Sequence, residues 1–208
     1  MLSKFTMSES VDHMVLQLKD GFTLAAADHI LVRNGSDLQC LVEEFCRRVR
    51  SEVAVGDKDL MEKGFTTVIR VGLNLAGLDS RMAEIPLDAA KSVTSSLLDG
   101  VRALEELEAS SARSAVELYL RSMESVNSGD SLPGYMAQNI RSIVTGSMMP
   151  SAFIRAFEDV ARGTVYWKMV EGQYCKFGND YARGLEILRH LGFCQVSTNP
   201  VLAARAFD

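Results

Sequence analysis

The chain has 208 residues, 47% of them hydrophobic and 24% charged, and a formal net charge of −5. A chain of this length can bury a real core, and the composition is that of a globular protein rather than a disordered one. The acidic balance argues against nucleic acid as a main partner, because phosphate binding needs a basic face. Four prolines, with Ala, Leu, Glu, Arg and Met abundant, favour helix over sheet.

In chain order, Thr6 and Glu9 form a capping-box pair ahead of a helix whose apolar face is Val11, Met14, Val15 and Leu18, with Gly21 as its stop. Thr23 caps a short second helix that ends near Asn34-Gly35. Ser36 with Gln39 opens a third, striped by Leu38, Leu41, Val42, Phe45, Val49 and Val53 and broken at Gly56-Asp57. Its Arg47, Arg48 and Arg50 stand among Glu43, Glu44 and Glu52, as on a solvated helix face. A fourth helix carries Met61, Phe65, Val68, Ile69, Gly72, Leu75 and Ala76. Its Val68 to Leu78 stretch is the most apolar in the chain, yet Arg70 and Asn74 interrupt it. It falls short of the roughly 20 apolar residues that a membrane span requires.

Pro86 suits the first turn of a long helix running to about Val126, with a polar bend or break between Glu105 and Arg113. Asn127-Ser128-Gly129-Asp130 reads as a loop, Met136 to Val144 as the next helix, and Pro150 as the start of another through Phe153, Phe157 and Val160. Between Thr164 and Phe177 the composition is β-prone, but Trp167, Val170, Tyr174, Phe177, Tyr181, Leu185 and Leu188 step by three and four, which predicts helix broken near Gly178-Asn179. Helix is expected again from Asp180 to His190, with Gly192 as its stop.

The start, Met1 to Thr6, has no apolar run of signal-peptide length and no arginine-rich transit character, so a cytoplasmic location follows by elimination. Cys40, Cys46, Cys175 and Cys194 form no C-x-x-C pair and have no histidine at zinc spacing, so free thiols, no metal and no cofactor are expected. Phosphate-loop, dinucleotide, H-E-x-x-H and nucleophile-elbow motifs are absent from the sequence. Glu186 and His190, four apart on a helix, read as an exposed ion pair.

One segment points to chemistry. Phe193 to Val196 has a short buried-strand pattern, Ser197-Thr198-Asn199 offers polar side chains at its carboxyl end, and Pro200 opens a helix. β/α barrels build their active-site rim in this way. Ser197-Thr198-Asn199-Pro200, with Leu202 following, resembles the transaldolase family, in which an early barrel strand ends in Thr-Thr-Asn-Pro followed by a small residue and two aliphatics. Val201 and Ala203 depart from that pattern. The resemblance implies a sugar-phosphate pocket with Asn199 inside it and Ser197 and Thr198 lining it. The family's acid–base aspartate is replaced here by Phe177 or a near neighbour, and its Schiff-base lysine belongs to a later strand; the last lysine of this chain is Lys176. The stretch from Val201 to Phe207 is expected as an uncapped helix of barely two turns, as in a polypeptide cut from a longer one.

The expected architecture is therefore mainly α: a multi-helix bundle over 1–190, followed over 191–208 by a short strand–helix resembling the start of a β/α barrel. The implied role is an accessory domain of a transaldolase-like enzyme, with sugar phosphate bound only by the parent enzyme and no catalytic residue in this stretch. The alternative is a non-catalytic helical adaptor or scaffold, which binds a protein partner or a second copy through a helix face.

Overall fold

The structure is a computed structural model that describes residues 6–32, 37–53, 57–144, 146, 148–179 and 184–196. Among these, 82% are helical, in a mainly α multi-helix fold with one two-stranded parallel sheet. The helices are α1 (Met7–Lys19), α2 (Thr23–Asp28), α3 (Asp37–Arg48), α4 (Lys58–Ala76), α5 (Asp79–Met82), α6 (Leu87–Leu107), α7 (Ala109–Ser125), α8 (Leu132–Ile143), α9 (Pro150–Gly163), α10 (Val165–Glu171) and α11 (Leu185–Leu188). The strands are β1 (Phe177–Asn179) and β2 (Phe193–Val196).

Helix α4 is the axis of the molecule. It buries side chains all round its circumference, Met61, Phe65, Val68, Ile69, Val71 and Leu73 among them, which marks a core helix rather than a surface one. Helices α1, α2, α6, α7 and α9 pack around it. Gly72 lets α9 approach: a Cβ there would stand 2.4 Å from Ile154 Cδ1. No described helix is long and apolar enough to cross a membrane.

Several helix ends follow from local sequence. Thr6 Oγ1 accepts from the Glu9 N–H while the Glu9 carboxylate accepts from the Thr6 N–H, so the expected capping box is formed. The polar stretch after α6 breaks at Glu108, whose carboxylate accepts from Ser110 N–H at 3.2 Å and starts α7. Asn127, Ser128 and Gly129 all adopt left-handed φ, which turns the chain sharply into α8. Thr164 caps α10 by accepting from Trp167 N–H at 3.1 Å.

Three expectations are corrected. Thr23 is not the cap of the second helix: Phe22 holds that position, and the Thr23 hydroxyl accepts from Arg70 of α4 instead. The helical rhythm of 164–178 holds only for α10. Phe177–Asn179 is a strand paired in parallel with β2, because Phe177 and Phe193 stack face to face at 5.3 Å and Tyr166 of α10 closes on both rings. Finally, β2 is a strand but not a buried one. Phe193 is half-buried, and Cys194 and Gln195 are exposed, since β1 is its one partner among the described residues. Ser36, Gly56 and the segment from Ser197 onward lie outside the described residues.

Candidate functional site

The most heavily built polar site joins the strand–helix–strand segment to the bundle. Arg189, in a short 3-10 turn after α11, donates two hydrogen bonds to the Asp28 carboxylate at 2.9 and 2.8 Å and a third from Nε to Asp79 Oδ1 at 3.0 Å. Asn74 of α4 donates to Asp28 Oδ1 at 3.0 Å and to the Ala27 carbonyl at 3.2 Å. His190 Nδ1 lies 2.5 Å from Asp79 Oδ2, and the His190 carbonyl accepts from Leu78 N–H at 2.9 Å. One turn earlier, Glu186 of α11 accepts from Arg70 of α4, which also donates to Thr23 and lies over the Tyr119 ring. One two-residue turn thus ties together α2, α4 and α5.

Burial makes these contacts matter. His190 is 2% exposed and Asp79 is 7% exposed. Burial alone would raise the Asp79 carboxyl pKa, but the charge and hydrogen bonds of His190, followed by those of Arg189, outweigh it and hold the carboxyl below its ordinary value. Tyr119 shows the reverse balance, its phenol pushed up by burial against the opposing pull of Arg70. The bidentate Arg189–Asp28 pair has the planar fork geometry that makes such pairs strong and directional.

An Asp–His pair of this kind can orient a base for catalysis, but geometry decides against it here. The His190 ring meets the edge of Phe157 at 5.9 Å and is closed off from solvent, so no substrate can reach it. Its neighbour Ser80 donates to the Gly77 carbonyl rather than to His190. The arrangement is a clamp. Beside it runs an open groove of about 580 Å³, with Leu24, Met82, Leu185 and Phe193 as apolar walls and Glu186 and Arg189 along its edge.

The exposed Glu186–His190 pair expected from spacing is not formed: His190 turns inward to Asp79 and Glu186 to Arg70, because burying the imidazole beside a carboxylate satisfies both. The predicted pocket residues Ser197, Thr198 and Asn199 lie outside the described residues. Phe177 lies in a ring cluster with Tyr166 and Phe193. Asp28, Asp79 and Arg189 were missed by the sequence reading. The available signal was the interruption of the most apolar helix by Arg70 and Asn74, four apart and so on one face. Among the described residues no group of three or more His, Cys, Asp or Glu is arranged to hold a metal ion.

Fold and clamp together define the class: a mainly α multi-helix protein bearing a small parallel strand–helix–strand unit. No family model, curated protein or solved structure matches the chain.

Proposed function

We propose that this chain is the helical accessory domain of a transaldolase-like sugar-phosphate enzyme, joined to the first strand–helix–strand of its barrel and not catalytically complete by itself. The observation that carries the proposal is the parallel pairing of β1 with β2 across α11, with Ser197-Thr198-Asn199-Pro200 following directly on β2 in the sequence. A parallel pair linked through a helix is the repeating unit of a β/α barrel, and polar residues after a strand's carboxyl end form such a barrel's rim. The clamp supports an accessory role, since it fixes the connecting helix to the bundle through buried charge.

Catalysis would pass through a lysine imine, with no metal or organic cofactor. An imine-forming lysine needs burial or a neighbouring cation to lower its pKa. Of the described lysines, Lys19, Lys58, Lys91, Lys168 and Lys176 are exposed, and Lys63 is paired with Asp59, which holds its amine above the usual range. In this reading sugar phosphate is a ligand of the parent enzyme, with Ser197, Thr198 and Asn199 lining its pocket.

Reading the coding sequence past codon 208 tests the proposal. Further alternating strands and helices, with a lysine on a later strand, are expected. A stop codon directly after Asp208 would favour the second reading, a helical adaptor that binds a protein partner through a helix face.

A further inference from the structure

A second cavity, of about 220 Å³, lies wholly within the helical part, where α4, α5, α6, α9 and α10 converge. It uses no residue of the strand–helix–strand unit and does not rest on the barrel reading. Its floor is apolar, with Leu75 and Leu98 among its lining, and its rim carries Arg81, Lys91, Arg155 and Arg162. Two carboxylates offset these four cations. Glu171 pairs with Arg81 at 3.0 Å, and Glu158 pairs with Arg162 at 2.9 Å. Lys91 and Arg155 form no ion pair with any described residue. The rim is therefore doubly positive on a chain whose net charge is −5.

A second observation points the same way. Trp167, 3% exposed, forms part of the cavity wall and lies under the Arg162 guanidinium at 5.1 Å. Its indole N–H finds no acceptor among the described residues. A buried donor without an acceptor is costly and uncommon, and this one belongs to a side chain of the cavity wall. Two unpaired cations and an arginine stacked on the cavity wall make a set suited to a doubly charged oxyanion, and arginine matches phosphate oxygens with a planar fork.

We infer that this cavity binds a phosphate group, free or carried by a small organic ester, through Lys91, Arg155 and Arg162 beside Trp167. The apolar floor leaves room for a short carbon body next to the phosphate.

Trp167 is the only tryptophan in the chain, so its emission reports on the cavity directly. Inorganic phosphate, glycerol 3-phosphate and glycerol are titrated at constant ionic strength, which separates site binding from general screening. Both anions should change the emission saturably and glycerol should not. Tighter binding of the ester assigns the site to organic phosphates, and tighter binding of the free anion assigns it to phosphate itself. The double variant Lys91→Ala/Arg155→Ala, at exposed positions that the fold does not need, should bind about tenfold more weakly or worse. Glu158→Gln, which releases Arg162 from its carboxylate, should bind more tightly, while Arg121→Ala on α7 should leave binding unchanged. The proposal is overturned by no saturable change with either anion, by a change that survives intact in the double variant, or by weaker binding in Glu158→Gln.

Discussion

Asp79 concentrates the electrostatics of the clamp, with His190 and Arg189 bonded to it and Asp28 bonded across Arg189. Because its carboxyl pKa is held below the ordinary value of about 3.9, the sign of its linkage to pH is fixed. Its contribution to stability is complete above that value and disappears as pH falls through the lower, folded-state pKa. Urea unfolding between pH 6 and pH 2 should therefore show a steeper loss of stability in the native chain than in Asp79→Asn. Parallel profiles would mean that the carboxylate contributes no such linkage. At neutral pH, Asp79→Ala should cost about 3–5 kcal/mol, since it leaves the Arg189 guanidinium without one of its two carboxylates and the buried His190 ring without its partner. The thiols differ in the same way, through burial. Cys46 has its pKa raised to about 12, by burial first and then by the charge of Glu43, whereas Cys40 and Cys194 are exposed. A disulfide-exchange reagent at pH 8 should modify Cys40 and Cys194 quickly and Cys46 only on unfolding, with four free thiols in denaturant. At this scale sequence was a partial guide. Arg70 and Asn74 stood out as polar residues in an apolar helix, but their partners lie 46 to 116 positions away, and no local pattern encodes such a distance.

Elements were legible wherever their signals were local. The Thr6–Glu9 capping box, the break between α6 and α7, the left-handed turn at Asn127 and Ser128 and the start of α9 at Pro150 each depend on neighbours within a few positions. The N-terminus of α9 shows where that stops. Met149 offers no side-chain cap, and instead Glu105, reaching across from α6, accepts from Ser151 N–H at 2.6 Å and from Ser151 Oγ at 2.9 Å. A carboxylate at a helix N-terminus also meets the positive end of the helix dipole. Glu105→Ala should therefore lower stability by about 1–2 kcal/mol in denaturant titrations, and an unchanged midpoint would contradict that role. Strand β1 was the least legible element. It has three residues, one of them glycine, inside an aromatic run with helical spacing, and only its pairing with β2 makes it a strand. The candidate pocket residues were legible solely as a motif, since nothing within 184–196 specifies them.

Across the whole molecule, apolar periodicity was sufficient to indicate a mainly α multi-helix fold, because α-helical stripes repeat over many turns and average out local ambiguity. Far-ultraviolet circular dichroism should accordingly show more than about half helix, against the third that is usual, and a strand-dominated spectrum would overturn the architecture. The proposed function rests on a much smaller part of the chain: a two-stranded parallel unit, a clamp that anchors it and a motif next to it in sequence. The most direct test is borohydride trapping with a ketose phosphate, read by intact mass and peptide mapping, on the 208-residue chain and on the product of its coding sequence read past codon 208. No adduct is expected on residues 1–208, and a single stoichiometric adduct is expected on a lysine of the longer product. An adduct on any lysine up to Lys176, or none on the longer product, would contradict the proposal.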